Sequence, residues 1–484
     1  MMNIALVWLR RDLRLHDNPA LHAALAAGAT PAVIYIHDEP HGDWPLGAAS
    51  AWWLHHSLEA LQTALTEHGS DLLILRGEPL AVLRKVAKTL GAGSVHWNRC
   101  YEPDFVDRDN VIKQKLRERG LDAHSHPGNL LWEPGQLLKK DDTPYRVFTP
   151  FWKNLQKAGP QPTPFGCPPA LPLLPENKLH VLPLDQLGLR PKIPWDKNFH
   201  DHWQPGESGA HAALERLCAD ALLDYAQDRD RPDLPGTSRL SPHLHFGELS
   251  PRQIWHHVQA WAATAPARGA VTAAETFLRQ LAWREFGQHL LYHFPHTRNA
   301  PLDARFNAMP WRKDYNDDLR RWQRGNTGIP IVDAGMRELW ATGWMHNRVR
   351  MIVASMLTKN LQIPWQEGAR WFWDTLVDAD LANNSMGWQW VAGCGADAAP
   401  YFRVFNPVLQ GQRFDPDGSY VRHWIPALKD LPTKWLHQPW LTPAAVLQSA
   451  NVQLGTGYPE PIVDLAESRT QALAVWDILK RQHK

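Results

Sequence analysis

The N-terminal 130 residues alternate short apolar runs with longer amphipathic stretches, and this alternation constrains the fold more than any other feature. The apolar runs are NIALVWL, PAVIYIHD, DLLILRG and SVHWN, and each is followed by a stretch with apolar residues at helical spacing. Strands that are apolar along their whole length and separated by crossover helices are typical of parallel sheets buried on both faces. We therefore predict a doubly wound parallel α/β domain over residues 1–130.

No glycine-rich phosphate motif follows the first predicted strand. The run NIALVWL leads into RRDLRLHDNPAL, which lacks the G-x-G-x-x-G pattern of dinucleotide-binding domains. A standard dinucleotide site is therefore not expected in this turn, and the fold class alone does not identify another ligand.

The rest of the chain divides into a connector and a helical region. Over residues 131–205 the periodicity fails and prolines accumulate, which predicts a long surface connector. Residues 206–484 have apolar residues at helical spacing, which predicts an all-α domain. Ser241 and Ser250 each precede a proline and are predicted helix N-caps. The segments HAALERLCADALLDYAQ and GARWFWDTLVDADLA are each predicted as one helix.

Tryptophan is unusually abundant, with 25 residues against 14 phenylalanines and 9 tyrosines. Packing alone could use Leu or Phe, so the excess indicates a further role for some of the indoles. The stretch 365–390 combines several tryptophans with Asp378, Asp380, Asn383 and Asn384. This mixture favours redox over hydrolytic chemistry, and a chain of 484 residues is long enough to bury a large cofactor.

Charge and cysteine content exclude fewer classes of function than the tryptophan pattern does. Lys and Arg number 51 against 50 Asp and Glu, so a nucleic-acid surface would have to be identified locally. The four cysteines lie far apart without CxxC or Cys/His spacing, which predicts reduced thiols and no metal site. The sequence has no signal peptide and no apolar segment of about 18 residues, so we expect a soluble, cytoplasmic protein without a membrane partner.

Two polar segments in the helical region are candidate binding sites. In GTSRLSPHLHFG, three hydroxyls and free backbone N–H groups precede a helix, an arrangement that can hold a diphosphate or can simply cap the helix. In TGWMHNRVRM, cations, an amide and an aromatic ring share one or two helical turns, and a solvated basic face would look the same. Neither segment is decisive alone.

Several segments together, in order along nearly the whole chain, resemble the photolyase/cryptochrome flavoproteins. They are WLRRDLRLHDN, PYRVFTPFWK, GTSRLSPHLHFGELSPRQ, WREF, GNTGIPIVDAGMREL, TGWMHNRVRM, DADLANNSMGWQW and DAAPYFRVFNP. The resemblance implies an antenna domain at residues 1–130, a connector at 131–205 and a helical domain at 206–484 that binds FAD. It also implies light-driven DNA repair or signalling.

The resemblance implies which residues contact FAD. They are Tyr225, Thr237, Ser238, Arg239, Leu240, Ser241, Phe277, Gln280, Arg284, Asn347, Arg350, Asp378, Asp380 and Asn384. Arg350 is expected to form a planar, bidentate pair with Asp378 across the isoalloxazine ring. Asn384 matches the position that faces flavin N5, where its amide oxygen can accept a hydrogen bond. Plant cryptochromes resemble this motif with Asp there, so Asn favours repair.

The tryptophans gain a second explanation from the same resemblance. Trp388, Trp365 and Trp311 match the photoreduction chain of the family, in that order from the flavin outward. Trp371 and Trp373 have no such match and are predicted to be core residues.

The implied substrate is DNA that carries a pyrimidine dimer flipped out of the stack. Trp283 and Trp390 match the two aromatic walls, and Met351 matches the adjacent apolar contact. Candidate groups for phosphates and lesion edges are Arg229, Arg284, Asn347, Arg348 and Arg403.

Gln280 departs from the family pattern, because cyclobutane-dimer photolyases usually carry Glu at this catalytic position. It lies three residues before Trp283, so both side chains point to one side of a helix. A protonated Glu can donate a proton to the dimer carbonyl, whereas Gln can only donate a hydrogen bond. Gln at this position resembles (6-4) photolyases and animal cryptochromes, but the histidines of the (6-4) enzymes are replaced here by Asn347 and Met351.

The sequence therefore predicts a cyclobutane pyrimidine dimer photolyase, a carbon–carbon lyase driven by light-excited reduced FAD, with efficiency reduced by Gln280. The alternatives are a cryptochrome-like blue-light photoreceptor and a (6-4) photolyase-like protein. The antenna chromophore, a folate or a deazaflavin, is left open. We expect a monomer.

Overall fold

The computed structural model describes residues 3–38, 42–159, 161–175, 178–398 and 403–482. Five parallel strands form one sheet in the order β3-β2-β1-β4-β5. The strands are β1 (Ile4–Leu9), β2 (Thr30–His37), β3 (Leu73–Arg76), β4 (Ser94–Asn98) and β5 (Asp122–His126). The predicted doubly wound α/β fold is confirmed.

The edge strand β5 was not among the predicted strands. Its sequence DAHSH has no apolar run, because only Ala123 is fully buried and the other side chains are exposed or half-buried. An edge strand at the rim of a sheet needs few apolar residues, so its sequence signal is weak.

Four helices connect the strands and cover both faces of the sheet. They are α1 (Pro19–Ala26), α2 (Ala48–Glu67), α3 (Pro79–Leu90) and α4 (Pro103–Arg117). One apolar core lies between the sheet and α1 and α2, and another lies between the sheet and α3 and α4. Burial on both faces explains why β1 and β2 are almost continuously apolar.

The predicted connector is not irregular throughout. It contains α5 (Phe148–Lys157), whose residues Phe148, Phe151 and Leu155 are buried against α11 (Ala270–His293) of the helical region. The prolines around this segment obscured the helical spacing of its four buried apolar residues.

The remaining helices begin with a short one at the end of the predicted connector and otherwise form the predicted helical region. They are α6 (Phe199–His202), α7 (Glu207–Arg216), α8 (Tyr225–Asp228), α9 (Ser241–Phe246), α10 (Pro251–Thr264), α11, α12 (Asn316–Gln323), α13 (Pro330–Thr342), α14 (Asn347–Ser355), α15 (Trp365–Thr375), α16 (Leu381–Ala392), α17 (Pro407–Phe414), α18 (Ser419–Trp424), α19 (Thr433–Leu436), α20 (Ala444–Ser449) and α21 (Leu465–Gln482). Among the described residues, no helix is long and apolar enough to cross a membrane.

Two of the predicted helices are interrupted. HAALERLCADALLDYAQ is split, because α7 passes into a π-helical turn at Leu217–Ala221 before α8 begins. GARWFWDTLVDADLA is split between α15 and α16, so the prediction of one continuous helix was wrong at both places.

The prediction for the two Ser-Pro helix starts was right for one and wrong for the other. Ser250 accepts a hydrogen bond from Gln253 N, and Gln253 bonds back to Ser250 N in a full capping box. Ser241 instead is the first residue of α9, and Leu240 at the N-cap already has helical backbone angles. The Ser241 side chain is therefore exposed and does not cap the helix.

The loop after β1 joins the α/β domain to the helical region. Arg14 is fully buried there and donates to the carbonyl oxygens of Asp17, Gly128 and Gly247. Gly247 packs so tightly that an added Cβ would lie 2.0 Å from the Arg11 carbonyl oxygen. The RRDLRLHDN segment thus fixes how the two regions pack.

Candidate functional site

The break between α15 and α16 places the D-x-D pair in a turn instead of on a helix face. Asp380 is the N-cap of α16 and accepts a hydrogen bond of 2.9 Å from Asn383 N. Asp378 precedes it in the same turn, and both side chains are at least nine-tenths buried. Tight turns favour Asp, which can accept bonds from nearby backbone N–H groups, and here that preference overrides the helical pattern.

The predicted pair between Arg350 and Asp378 is present, but its geometry differs from a two-nitrogen fork. Arg350 Nη2 donates to both carboxylate oxygens, at 2.9 and 3.1 Å. Nε of the same guanidinium donates to the Met345 carbonyl oxygen at 2.8 Å. The guanidinium is therefore locked between α14 and the turn, with a charge-assisted contact at its tip.

Asp380 receives more hydrogen bonds than the sequence indicated. Its Oδ2 accepts from Gln288 Nε2 at 3.0 Å, and its Oδ1 accepts from Asn383 Nδ2 at 2.6 Å. Burial alone would raise the pKa of Asp380, but the facing His245, the Arg284 charge and the Asn383 N–H together hold it below its usual range. Asp380 is thus a buried carboxylate that stays ionised.

Asn384 follows on the first turn of α16 and is oriented by its own amide. Its Nδ2 donates to the Ala369 carbonyl oxygen on α15 at 3.0 Å. With the NH₂ end fixed in this way, the amide oxygen points to the opposite side and can accept a hydrogen bond. An accepting amide oxygen is also what the predicted contact with flavin N5 would use.

The segment before α9 forms a second part of the candidate site. Thr237 and Ser238 are half-buried, and Arg239 adopts a left-handed backbone angle of φ 52°. The Arg239 guanidinium lies over the Trp344 ring at 4.7 Å from its centroid, and burial lowers its pKa. The backbone reversal at Arg239 presents the preceding hydroxyls and N–H groups on one side of the chain.

Helix α11 carries several of the residues that are predicted to contact FAD or DNA. Phe277 packs edge-on against Tyr225, with ring centroids 5.3 Å apart. Trp283 stacks on Phe148 of α5 at 3.6 Å, with 8° between the ring planes. Gln280 is half-buried and makes one long bond of 3.4 Å to the Thr276 carbonyl oxygen.

Arg284 does not point outward as a DNA phosphate ligand would. Its Nη1 donates to the Asn129 carbonyl oxygen and to Glu285, both at 3.1 Å, and its Nη2 donates to the Leu244 carbonyl oxygen. It lines a small cleft between the α/β and helical regions, together with Asp380 and Gln288. Its geometry supports the predicted role on the cofactor side and does not support the predicted DNA contact.

Of the three tryptophans on the predicted electron route, two are buried and the third is half-buried. Trp388 and Trp365 are each 2% exposed, and Trp311 is half-buried at the edge of the same core. The Trp388 ring covers Gly368, where an added Cβ would lie 2.0 Å from it. Gly368 is one turn along α15 from Trp365.

The backbone also brings Trp311 towards the same helix. The neighbouring Arg312 N donates to the Gln362 carbonyl oxygen at 3.0 Å, three residues before Trp365. The predicted order from the interior to the surface is therefore compatible with the packing. Trp373 is buried, as predicted for a core residue, and donates to the Pro45 carbonyl oxygen, whereas Trp371 is half-buried at the edge of the core and stacks on Trp340.

The remaining predicted DNA contacts lie around α14, α8 and the end of α16. Asn347 is exposed at the start of α14, while Met351 and Trp390 are half-buried. Arg348 pairs with Asp230 at 2.7 Å and lies over the Phe414 ring. Arg229 lies over the Tyr225 ring, and Arg403 is exposed. The segment DAAPYFRVFNP is partly outside the described residues, because 399–402 are not among them.

The residues of this site fit a bound FAD in their chemistry. Several buried polar atoms lack a hydrogen-bond partner within the described residues, and three of them, His346 Nε2, Ser385 Oγ and Trp388 Nε1, belong to α16 or to the start of α14. Native proteins leave few such atoms unpaired, so a polar ligand next to them is expected. Carboxylates, an oriented amide and hydroxyls are the groups that a flavin ring and a diphosphate require.

Three supporting residues were not identified from the sequence. Gln288 and His245 contact Asp380, and Phe148 supports Trp283. Gln288 follows Gln280 and Arg284 at intervals of four, and this spacing on α11 was a usable signal. Phe148 and His245 lie in other segments, and no local pattern connects them with the residues they contact.

Comparisons with known proteins agree with this geometry. A family model described as the FAD binding domain of DNA photolyase matches residues 277–477, and one described as DNA photolyase matches residues 5–169. The chain is 46% identical to the deoxyribodipyrimidine photo-lyase of Agrobacterium fabrum, covering 98% of each chain. It is 38% identical to cryptochrome-1 of Arabidopsis thaliana, over 96% of this chain and 69% of that protein.

A solved structure is similar over almost the whole molecule. The crystal structure of a bacterial class III photolyase from Agrobacterium tumefaciens matches with a TM-score of 0.95 and 45% identity. The match covers 99% of this chain and 98% of that one.

Proposed function

The chain belongs to the photolyase/cryptochrome family, and from that premise we propose that it is a light-dependent deoxyribodipyrimidine photo-lyase for cyclobutane pyrimidine dimers in DNA. The observation that carries the proposal is the meeting of two features on one turn of α15. Asn384 donates to the Ala369 carbonyl oxygen, and the Trp388 ring covers the adjacent Gly368. The amide that would face the flavin and the first electron carrier are thus held side by side.

When bound, reduced FAD supplies the electron that light excitation transfers to the dimer and that returns after the ring opens. Asp378, Asp380, Asn384, Arg350 and Arg284 would hold the ring system. The segment from Thr237 to Ser241 and the ring of Tyr225 would hold the diphosphate end, with Phe277 and Gln280 completing the pocket. The Arg350–Asp378 ion pair, at 2.9 Å, would stabilise changes of charge on the bound ring.

The tryptophans restore the reduced state after oxidation. An electron entering at half-exposed Trp311 would pass through Trp365 to Trp388, which are both 2% exposed. Burial excludes water from the inner two indoles, so competing reactions with solvent are slowed.

The lesion would lie between two tryptophan rings, one of which is stacked on a phenylalanine. Trp283 is fixed in plane by Phe148, and Trp390 would form the second wall with Met351 beside it. Asn347, Arg229, Arg348 and Arg403 would contact phosphates or lesion edges. We infer that a flipped dimer enters here, that the protein acts as a monomer in the cytoplasm, and that the domains end near residues 130 and 205. The antenna chromophore, a folate or a deazaflavin, would bind to the N-terminal domain.

Gln280 motivates the second candidate, repair of the (6-4) photoproduct. Its amide lies one turn before Trp283 and has only a long bond to its own helix, so it is available to a lesion carbonyl. A photosensory role like that of cryptochromes is the third candidate, and it would require no repair of either lesion.

One experiment separates the three functions. Purified, FAD-loaded protein is reduced and illuminated with oligonucleotides that contain either a cyclobutane dimer or a (6-4) photoproduct, and the products are separated by chromatography. We expect restored thymines from the cyclobutane substrate alone. Restoration of the (6-4) substrate instead, or of neither substrate, contradicts the proposal.

A further inference from the structure

We propose that His16, Glu207 and His211 form a zinc-binding site at the seam between the α/β domain and the helical region. His16 lies in the loop after β1, whereas Glu207 and His211 lie on the first two turns of α7. One potential ligand atom from each residue lies within 4.8 Å of the others. This site is separate from the flavin and DNA residues described above.

The distances suit a small divalent ion. His16 Nδ1 is 2.8 Å from Glu207 Oε1, and His211 Nε2 is 3.9 Å from the same oxygen. Zinc holds imidazole nitrogen and carboxylate oxygen at about 2.0–2.2 Å, which in a tetrahedral site separates neighbouring ligand atoms by about 3.3 Å. The observed distances lie on either side of that value, so a small rotation of the rings would complete the site.

The carboxylate is already oriented by bonds that a metal would not displace. Glu207 Oε2 accepts from Leu15 N at 2.8 Å, and Oε1 accepts from His16 N at 3.0 Å. Such supporting hydrogen bonds fix metal-ligating carboxylates in many proteins. The nearby Arg14 is directed away, because its donors go to the carbonyl oxygens of Asp17, Gly128 and Gly247.

One potential ligand nitrogen in this cluster makes no hydrogen bond to the described residues. His211 Nε2 lies 3.9 Å from Glu207 Oε1, beyond hydrogen-bond distance, and has no hydrogen-bond partner within the described part of the chain. Glu207 and His211 are four residues apart, which places both on one face of α7. The side chains of His16 and His211 are 43% and 40% exposed, so an ion can enter and water can supply a fourth ligand.

The consequence would be a link between the two parts of the molecule. A metal that binds only the folded arrangement stabilises it, and at a free concentration of about 100 times Kd the thermal midpoint should rise by roughly 3 °C for a chain of this length. The other described His/Glu cluster, formed by His55, His56 and Glu59, comes from a single helix and would not join the two regions.

Zinc titration of the full-length, FAD-loaded protein tests the proposal. The protein is first treated with EDTA and exchanged into metal-free buffer, and binding is followed by calorimetry and by thermal unfolding. We expect one zinc ion per chain and a higher thermal midpoint. His211→Ala and Glu207→Gln should abolish both effects, and their unfolding in EDTA shows that they are folded.

Two matched variants control for zinc bound elsewhere. His257→Ala removes a half-buried histidine that faces Glu215 at 3.5 Å and belongs to no three-ligand cluster of the described residues, and His56→Ala disrupts the cluster on α2. Both should bind zinc as the unaltered protein does. Absence of binding in the unaltered protein, or binding that survives in His211→Ala, overturns the proposal.

Discussion

At the scale of single residues, the side chains of the proposed site differ in how firmly neighbouring residues hold them. The Gln280 amide makes one bond in the described structure, a contact of 3.4 Å with its own helix. Asn384, by contrast, is held by Ala369, and Arg350 is held by both Asp378 and Met345. Gln280 is therefore the residue of the proposed site whose replacement should change chemistry with the least change in structure.

Replacing Gln280 by Glu should increase the repair of cyclobutane dimers per absorbed photon. A protonated Glu donates a stronger hydrogen bond to the dimer carbonyl, and a gain of about 0.5 kcal/mol corresponds to roughly a twofold effect. The yield is measured under limiting light with fully reduced protein. Gln280→Met keeps the side-chain volume without a donor and should lower it. An unchanged or lower yield for Gln280→Glu argues against the role of this residue.

Replacing Trp365 by Phe should stop photoreduction of bound oxidised FAD. A phenyl ring is much harder to oxidise than an indole, so the route from Trp311 to Trp388 would be interrupted. Photoreduction is measured as the loss of the visible absorption of oxidised flavin under blue light in the presence of an external reductant. Trp373→Phe is the control, because Trp373 lies on the same helix but packs against Pro45. Photoreduction that persists in Trp365→Phe removes this residue from the route.

Glu338 gives the protein a pH-dependent stability. Burial raises its pKa to about 7, although Tyr420 and His346 N donate hydrogen bonds to it. The folded state therefore keeps a proton that the unfolded chain releases near its ordinary pKa, so the contribution of Glu338 to stability falls as pH rises from about 5 to 7.

Glu338→Gln resembles the protonated carboxyl and should remove this part of the pH dependence. Denaturant unfolding at pH 5.5 and pH 8.0 measures it. We expect the variant to lose less stability between the two pH values than the unaltered protein. Equal losses would mean that Glu338 is ionised throughout.

At the scale of elements, α11 serves two sites with two faces. Trp283 stacks on Phe148 beside the proposed lesion site, whereas Arg284 and Gln288 line the cleft between the two regions, where Gln288 donates to Asp380. The face towards the lesion depends on α5, because Phe148 supports the Trp283 ring. A helix from the predicted connector is thus part of the proposed binding site.

Replacing Phe148 by Leu should weaken binding of damaged DNA more than binding of undamaged DNA. An aromatic stacking contact contributes about 0.5–1.5 kcal/mol beyond its buried area, so we expect roughly a two- to tenfold loss of affinity. Binding of matched oligonucleotides in the dark measures this loss. Phe151→Leu is the control, since Phe151 is equally buried on α5 but packs on Phe286. Equal losses in the two variants would indicate a purely structural role.

At the scale of the whole molecule, a buried carboxylate in the loop after β1 joins the two regions, in addition to Arg14 and Glu207. Asp17 is fully buried and accepts bonds from Ser250 Oγ at 2.5 Å and from Arg252 Nη2 at 2.6 Å. Both partners belong to the start of α10, so the helix cap and the seam between the two regions share one group. The stability of the two regions should therefore be coupled.

Replacing Asp17 by Asn should destabilise the molecule by about 3–5 kcal/mol. The substitution removes the negative charge and leaves the largely buried Arg252 guanidinium without its partner. Denaturant unfolding followed by circular dichroism measures the change. The matched control is Asp185→Asn, which removes an exposed pair with Arg190 and should cost no more than about 1 kcal/mol. Similar small effects of both variants would show that Asp17 does not support the seam.

The sequence by itself determined the features that depend on local patterns. Apolar runs predicted β1 to β4, helical spacing predicted the long helices, and ordered motifs identified the family, because each of these signals lies in neighbouring residues. Only the tertiary structure decided the edge strand β5, the turn that holds Asp378 and Asp380, the inward direction of Arg284 and the support of Trp283 by Phe148. These features depend on contacts between distant segments, and such contacts leave no period in the chain.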